Sequence, residues 1–258
     1  MTYLVDACPV LRMEALAKNT YDLLVKSESI AAVASPGQFV HIRVPGFTLR
    51  RPISLCETDV ERGTLRMVFE VRGEGTGELA KVRAGDTLDV MGPLGHGFTV
   101  EDLSRPVLFV GGGIGTPPLL EAAKRFGKNA TVALGFRNAA AQILTEDFAG
   151  HGCKVLVATD DGSAGHHGLV TDLVIRRLEE GPVARIYACG PKPMLKAVAA
   201  LAAKHGIPCE VSLEERMGCG VGACLVCACK TRREDGGETY SHVCKDGPVF
   251  PAEKVVFE

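Results

Sequence analysis

The sequence predicts three units in order: an antiparallel β-barrel, a doubly wound parallel α/β domain, and a small cysteine-rich C-terminal domain. Two changes of pattern along the chain predict this fold class. Up to about residue 102, short β-rich segments are separated by turn signals. Apolar strands then alternate with helical segments, and a Gly- and Cys-rich stretch follows residue 213. We therefore place the domains at residues 1–102, 103–213 and 214–258.

The first unit contains five segments with the composition of β-strands. They are residues 21–26, 38–44, 51–56, 64–71 and 86–91. Turn signals such as Pro36-Gly37 and Gly85-Asp86 lie between them. Short strands at this spacing predict a small antiparallel barrel. One helix, over residues 76–82, is expected to interrupt it.

The second unit alternates strands with helices. Strands are predicted at residues 105–111, 130–136, 154–158, 184–188 and 208–213, and helices at 117–126, 139–148, 169–179 and 193–205. The first of these strands is apolar over nearly its whole length, as expected in a parallel sheet that is covered on both faces. The alternation predicts a doubly wound parallel sheet.

Composition and charge exclude several classes of function. The chain is 46% hydrophobic and 23% charged, and its net charge of -2 gives no indication of nucleic-acid binding. No apolar run approaches the roughly 18 residues of a membrane span, and no secretory signal is visible. Ten cysteines without such a signal favour a reducing cytoplasm, where thiols serve metal binding or catalysis.

The most specific motif of the chain lies in its last unit. Cys219, Cys224 and Cys227 have the spacing C-x4-C-x2-C, and Cys244 lies further along the chain. Plant-type [2Fe–2S] sites have this spacing and a distant fourth thiolate. The interspersed glycines tolerate positive φ and let backbone N–H groups approach the sulfur atoms. We predict these four cysteines as cluster ligands and Cys229 as a bystander.

A second interpretation of the cysteines remains open, and a third is disfavoured. A zinc site could use Cys224, Cys227, Cys229 and Cys244. The chain would then be a non-catalytic zinc-binding or redox regulator. Disulfides conflict with the reducing compartment inferred above.

Three loops of the α/β domain are predicted to hold a nucleotide. Each follows a strand, and ligands of open α/β sheets bind outside the carboxyl ends of the strands. The glycines of the first loop let phosphates approach the N–H groups of the helix behind it. A loop carboxylate can bond ribose hydroxyls and repel a 2′-phosphate, which favours NAD over NADP. The candidate residues are Gly111, Gly112, Gly113, Gly115, Thr116, Asp160, Cys189, Gly190 and Pro191.

Two motifs of the barrel are predicted to hold a second cofactor. The planar guanidinium of Arg51 can donate two parallel hydrogen bonds to a phosphate. The Ser54 hydroxyl can hydrogen-bond to a flavin edge or to a phosphate. A Gly-Thr turn at a helix start supplies backbone N–H groups to an anion. The candidate residues on these motifs are Arg51, Pro52, Ile53, Ser54, Gly75 and Thr76.

These motifs, in this order, resemble those of the ferredoxin–NADP reductase superfamily. The resemblance implies that the stretch from Arg51 to Ser54 holds FAD, with the arginine on its phosphates. It implies that the Gly75-Thr76 turn contacts the flavin pyrophosphate, and that the two glycine loops of the α/β domain hold the nicotinamide nucleotide. Ile53 departs from the superfamily pattern, because many members carry an aromatic ring there.

The C-terminal stretches 214–227 and 243–250 narrow the resemblance to the electron-transfer subunits of type B dihydroorotate dehydrogenases. This implies a chain that passes electrons between NAD+ and an FMN-containing partner through FAD and the cluster, in pyrimidine biosynthesis. The partner would oxidise (S)-dihydroorotate to orotate, and two subunits of each kind would form a heterotetramer. No side chain of this chain is expected to be a catalytic acid or base. Similar subunits of NADH-dependent ferredoxin:NADP+ oxidoreductase and sulfide dehydrogenase complexes remain the alternative, although a carboxylate can replace a cluster cysteine there.

Overall fold

The computed structural model describes residues 3–257, and the first six strands of this range close into a barrel. They are β1 (Leu4–Ala17), β2 (Thr20–Lys26), β3 (Phe39–Arg43), β4 (Arg51–Asp59), β5 (Thr64–Glu70) and β6 (Thr87–Leu94). They are hydrogen-bonded in the order β1-β2-β5-β4-β3-β6, and each pairing is antiparallel. The predicted antiparallel barrel is confirmed.

The longest strand of the barrel, β1, was not among the predicted segments. It has 14 residues, of which only Cys8 and Val10 are buried. A strand that is mostly exposed has little of the apolar alternation on which sequence prediction depends. The tertiary structure supplies the missing stabilisation, because β1 pairs with both β2 and β6.

Two short helices interrupt the barrel, where one was predicted. The missed helix, α1 (Glu28–Val33), begins after Ser27, whose side chain accepts the N–H of Ile30 at 3.3 Å. The expected helix is α2 (Glu74–Leu79), which begins two residues earlier than predicted. The Thr76 hydroxyl accepts a hydrogen bond from the backbone N–H of Arg72, so Thr76 lies in the first turn of α2.

The rest of the described chain forms a seven-stranded sheet and a separate hairpin. The strands are β7 (Val107–Gly112), β8 (Ala130–Phe136), β9 (Lys154–Thr159), β10 (His166–His167), β11 (Ile186–Cys189), β12 (Cys209–Ser212), β13 (Ala228–Arg232), β14 (Glu238–His242) and β15 (Val249–Pro251). The helices are α3 (Pro117–Phe126), α4 (Thr145–Gly150), α5 (Val170–Glu180) and α6 (Lys192–Lys204). The longest helix within residues 3–257 is α6, with 13 residues, and none there has the length and apolar character of a membrane span.

The strands of the sheet are ordered β10-β9-β8-β7-β11-β12-β15. All neighbours are parallel except β12 and β15, so the predicted parallel α/β sheet is confirmed. The antiparallel strand β15 comes from the C-terminal part of the chain. The cysteine-rich stretch is therefore attached to the α/β sheet by backbone hydrogen bonds.

The helix predicted over residues 139–148 was wrong in its extent. The structure has a 3₁₀ turn at Ala139–Ala141, capped by the Asn138 side chain, and then α4. Between them Leu144 has a φ of 62°, a left-handed conformation that a continuous α-helix does not allow. The apolar spacing of the segment is helical, but the backbone breaks within it.

Polar contacts hold the barrel against the α/β domain beside β4. The backbone N–H of Thr58 donates to the carboxylate of Glu121 at 3.1 Å, and Glu121 on α3 is buried. Lys124, one turn later, lies 2.9 Å from the same carboxylate. These contacts set the end of β4 relative to α3, and so they align the barrel motifs with the nucleotide loops.

Candidate functional site

The sulfur atoms of Cys219 and Cys224 are surrounded by backbone N–H groups. Cys219 Sγ accepts from the N–H groups of Val221 and Ala223 at 3.4 and 3.2 Å. Cys224 Sγ accepts from the N–H of Cys219 at 3.3 Å. Backbone N–H groups aimed at thiolates are the environment that stabilises iron–sulfur ligands and tunes their potential.

The other two predicted ligands show the same pattern. Gly222 donates its N–H to Cys244 Sγ at 3.1 Å, and the N–H of Cys244 donates to Cys227 Sγ at 3.4 Å. Cys227 and Cys244 are buried, whereas Cys224 is exposed. Within residues 3–257, the Cys229 sulfur accepts no such bond. Backbone hydrogen bonding thus distinguishes the four predicted ligands from Cys229.

Two glycines of the cysteine-rich loop adopt the positive φ that the sequence predicted. Gly220 and Gly222 have φ values of 75° and 82°. A Cβ at Gly222 would lie 2.7 Å from Cδ of Lys245, so a larger residue would be both strained and crowded. The glycines let the loop fold tightly enough to turn its N–H groups toward the sulfur atoms.

The pKa values of the thiols follow from burial and these hydrogen bonds. Burial acts to raise the pKa of Cys219, but the N–H groups of Val221 and Ala223 outweigh it and lower the pKa to about 6. Burial raises the pKa of Cys244 to about 12 and that of Cys229 to about 11. A bound metal ion deprotonates a coordinating thiol outright, so Cys244 would ionise on ligation.

Backbone hydrogen bonds link the four predicted ligands in two pairs, Cys219 with Cys224 and Cys227 with Cys244. Among the described residues, no three His, Cys, Asp or Glu side chains converge on a point suitable for one metal ion. A zinc site needs four ligands within about 2.3 Å of one ion. A two-iron cluster distributes its four thiolates over two metals and does not need this convergence.

The two predicted phosphate motifs of the barrel meet in the structure. The Arg51 guanidinium lies so close to Gly75 that a Cβ on the glycine would overlap it. The same guanidinium lies 4.8 Å from the centroid of the Phe47 ring and donates to the carbonyl of Leu49 at 2.6 Å. Within residues 3–257, Arg51 has no carboxylate partner. Its charge is therefore available to an anion beside Gly75.

The neighbouring arginine has a different role. Arg50 lies 2.9 Å from the carboxylate of Asp89 and donates to the carbonyl of His41 at 3.2 Å. Its charge is already paired, and its side chain ties the residue that precedes β4 to β3 and β6. Within residues 3–257, Arg51, the arginine predicted from the motif, is thus the one of the two that has no carboxylate partner.

The other barrel candidates contribute unequally. Ser54 is partly exposed and pairs with Phe39 of β3. Ile53 is 8% exposed and packs in the barrel core, so its side chain faces away from any surface ligand. The Thr76 hydroxyl donates to the Gly73 carbonyl at 3.1 Å, so this residue offers a ligand its backbone N–H rather than its side chain.

The two glycine loops of the α/β domain are in direct contact. A Cβ at Gly115 would overlap the backbone of Cys189, and a Cβ at Gly112 would lie 2.8 Å from Cδ of Pro191. The strands before these loops, β7 and β11, are neighbours in the sheet. Thr116, at the end of the first loop, is fully buried, and within the described range its hydroxyl has no hydrogen-bond partner. An unpartnered hydroxyl beside two close loops fits a bound nucleotide.

Asp160 and Cys189 occupy different parts of this edge. Asp160 is exposed and follows β9, which lies two strands from β7 in the sheet. Burial raises the pKa of the Cys189 thiol to about 12, so this residue is a packed thiol and not a nucleophile.

Replacing Gly115 with valine should abolish nucleotide binding. The new side chain would have to displace the backbone of Cys189 and Gly190, because a Cβ alone already overlaps it. We expect NADH no longer to quench or reduce the bound flavin, while flavin absorption is retained. The matched control is Gly150→Val, because a Cβ at Gly150 meets no atom within 4 Å. Equal NADH affinity in both variants would contradict the assignment of the loop.

Sequence reasoning missed His41, which lies in β3. It is fully buried, and neither ring nitrogen has a hydrogen-bond partner among residues 3–257. Burial, together with the charges of Arg50 and Arg51, lowers the pKa of His41 to about 4, so the ring is neutral at pH 7. A single histidine within a strand carries no motif, and only its three-dimensional surroundings single it out.

Known proteins match the chain over almost its full length. A sequence profile described as the iron-sulfur cluster binding domain of dihydroorotate dehydrogenase B matches residues 214–256. The chain is 46% identical over 256 residues to the dihydroorotate dehydrogenase B (NAD(+)) electron transfer subunit of Bacillus caldolyticus, with 96% of each protein covered. It is 47% identical over 250 residues to that of Caldanaerobacter subterraneus subsp. tengcongensis, covering 96% of this chain and 97% of the relative. The chain belongs to the family of dihydroorotate dehydrogenase B electron transfer subunits.

Solved structures share the fold of this chain. The structure of an NADH-dependent reduced ferredoxin–NADP oxidoreductase, solved for insight into flavin-based electron bifurcation, has a TM-score of 0.87 and 34% sequence identity. The match covers 98% of this chain and 90% of the chain in that structure. A ferredoxin reductase of carbazole 1,9a-dioxygenase, at 21% identity and a TM-score of 0.70, shares the fold over 81% of this chain and 68% of its own.

Family membership confirms the main predictions of the sequence. This dihydroorotate dehydrogenase B electron transfer subunit is a flavoprotein with the ferredoxin–NADP reductase fold, an FAD- and NAD-binding architecture and an iron–sulfur cluster binding domain. An electron transfer subunit works beside a catalytic subunit, so a dihydroorotate dehydrogenase partner is implied. The interpretation as a zinc-binding or redox regulator does not fit this family.

Proposed function

We propose that this chain passes electrons between NAD+ and an FMN-containing partner subunit that oxidises (S)-dihydroorotate to orotate in pyrimidine biosynthesis. The observation that carries the proposal is the set of backbone N–H groups on the sulfur atoms of Cys219, Cys224, Cys227 and Cys244. When bound, FAD exchanges hydride with the nicotinamide and releases electrons singly, and the [2Fe–2S] cluster carries one at a time. We assign these four cysteines as the cluster ligands.

The barrel residues hold FAD in this proposal. Arg51 neutralises its phosphates beside Gly75, where the guanidinium occupies the space that a Cβ would need. Backbone groups of Pro52 and Ile53 and the Ser54 hydroxyl lie along β4 and orient the flavin ring. The N–H of Thr76 adds a second donor to the phosphates.

The α/β domain holds the nicotinamide nucleotide. The loops from Gly111 to Thr116 and from Cys189 to Pro191 bind its nicotinamide half, and the unpartnered Thr116 hydroxyl supplies a hydrogen bond. Asp160 accepts from the ribose of the other half, and its charge repels a 2′-phosphate, so NAD is preferred to NADP. We place the domain boundaries at residues 102/103 and 213/214.

The loop of residues 218–226, which we call the cluster loop, is the proposed contact with the catalytic partner. Leu225 and Val226 are 65% and 55% exposed, and they adjoin the exposed ligand Cys224. Apolar side chains exposed beside a redox centre favour a protein surface that covers them. Two chains of each kind would form a heterotetramer, and the ten free cysteines fit a cytoplasmic location.

Copurification of the native complex tests the proposed partner. We expect a tagged chain to recover an FMN protein, and the complex to reduce NAD+ with dihydroorotate. The 34% identity to the ferredoxin–NADP oxidoreductase structure supports a second candidate, a subunit that serves such a complex. Recovery of a ferredoxin- or NADP-linked partner, without dihydroorotate oxidation, would favour that second candidate.

Leu225→Asp should weaken the complex, because a carboxylate replaces an apolar side chain in the proposed contact. We expect about a tenfold or greater loss of affinity for the partner, in the range of an interface position that costs more than 1 kcal/mol. The matched control is Leu169→Asp, at a leucine that is 63% exposed in the α/β domain. Equal loss in both variants would count against the cluster loop as the contact.

A further inference from the structure

The His41 ring is a buried polar group whose hydrogen bonds are missing. The residue has no exposed surface, and within residues 3–257 both Nδ1 and Nε2 lack a partner. A neutral imidazole has one N–H donor and one acceptor nitrogen. Leaving these unpaired in the interior costs stability, so an unpartnered buried side chain indicates a ligand or a functional role.

His41 lies between β4, the strand proposed to hold the flavin, and the cysteine-rich stretch. His41 pairs with Pro52 of β4, so the two side chains share one face of the barrel. Phe39 lies on the same face and packs in a common core with Cys227 and Cys244. The segment that holds the cluster thiols therefore covers this face of the barrel.

The ring lies directly against the cluster loop. A Cβ on Gly220 would lie 2.7 Å from Nδ1 and 2.9 Å from Cε1 of His41. Gly220 separates Cys219 from Val221, whose N–H donates to the Cys219 sulfur. Only glycine at this position allows an imidazole so close to the backbone that carries a cluster ligand.

We propose that His41 is a positioning residue for the cluster, and that its ring N–H donates a hydrogen bond to a sulfur atom of the bound [2Fe–2S] centre. The proposal rests on the cluster ligation proposed above. Hydrogen bonds to the sulfur atoms favour the more negatively charged, reduced state and so raise the reduction potential. His41 would thus set the potential of the cluster from the flavin side, without being a ligand.

Pulsed EPR of the reduced cluster tests this directly. In complete protein grown with ring-15N histidine, we expect a weak coupling between the electron spin and a histidine nitrogen. The coupling should disappear in His41→Leu and His41→Asn. The matched control is His242→Asn, two residues from Cys244, where the ring lies 3.5 Å from Asp246; there the coupling should remain. Its loss in the control alone would overturn the assignment to His41.

The reduction potential gives an independent readout. We expect His41→Leu to shift the cluster potential to a more negative value in an EPR-monitored titration, with FAD and iron content unchanged. His41→Asn retains an N–H near the Nδ1 position and should recover part of the shift. An unchanged cluster potential, or a shift confined to the flavin, would overturn the proposal.

The possible outcomes distinguish failure of the proposed His41 hydrogen bond from failure of the four-cysteine ligation. If His41→Leu does not fold, the labelled wild-type protein and His41→Asn still decide the question, since no histidine coupling in the wild type would overturn the proposal. A wild-type protein with no cluster signal at all would overturn the four-cysteine ligation, and this inference with it.

Discussion

Replacing Cys224 with serine is expected to remove the [2Fe–2S] cluster while FAD remains bound. Cys224 is the exposed member of the four thiols, so its replacement leaves the buried packing around Cys227 and Cys244 intact. Removing only a hydrogen-bonding partner of a metal ligand costs about 10–100-fold in metal affinity, and removing the ligand should cost more. The cluster absorption and the EPR signal of the reduced protein measure the effect.

The control for this prediction is the same substitution at Cys229. Its sulfur accepts no backbone N–H bond within the described range, and burial raises its pKa to about 11. We expect Cys229→Ser to keep the cluster and its spectrum. A cluster that survives Cys224→Ser but is lost in Cys229→Ser would mean that the ligand set is misassigned.

Replacing Arg51 with alanine is expected to release FAD. Within residues 3–257 the Arg51 guanidinium has no carboxylate partner, so its loss leaves no unpaired acid behind. A hydrogen bond to a charged group contributes about 1.5–3 kcal/mol, which corresponds to roughly 10–100-fold in FAD affinity. Flavin content after gel filtration and a titration of the apoprotein with FAD measure the loss.

Two further variants make this prediction specific. Arg62→Ala removes an arginine whose side chain is 84% exposed on the same barrel, and it should retain full flavin content. Arg51→Lys keeps the charge but loses the bidentate fork, so it should bind FAD with intermediate affinity. Unchanged flavin content in Arg51→Ala would contradict the role of Arg51 on the phosphates.

Local patterns were sufficient for most of the fold. The periodicity of α3 and the continuous apolar strand β7 follow from local sequence, and both lie where they were predicted. The exceptions are elements that long-range pairing or one residue's backbone decides. The mostly exposed β1 is stabilised by two neighbouring strands, and Leu144 breaks a helix whose apolar spacing is regular.

The candidate site, like the fold, is partly evident from local sequence and partly decided by the tertiary structure. The glycine loops, the arginine motif and the cysteine spacing are contiguous in the chain, so the sequence reveals them as motifs. Their mutual contacts join residues far apart in sequence, as between Arg51 and Gly75 or Gly115 and Cys189. Chain order does not show that, within the described residues, Arg51 has no carboxylate partner whereas its neighbour Arg50 is paired with Asp89.

By itself, the sequence determined the fold class, the family and the identity of the chemistry, because short motifs with fixed spacing carry all three. The tertiary structure decided which groups meet. It aimed backbone N–H groups at four sulfur atoms and, among residues 3–257, left the Cys229 sulfur without one. It also buried His41 against Gly220. That arrangement depends on the packing of a barrel strand against a loop 179 positions later in the chain, and on no local pattern.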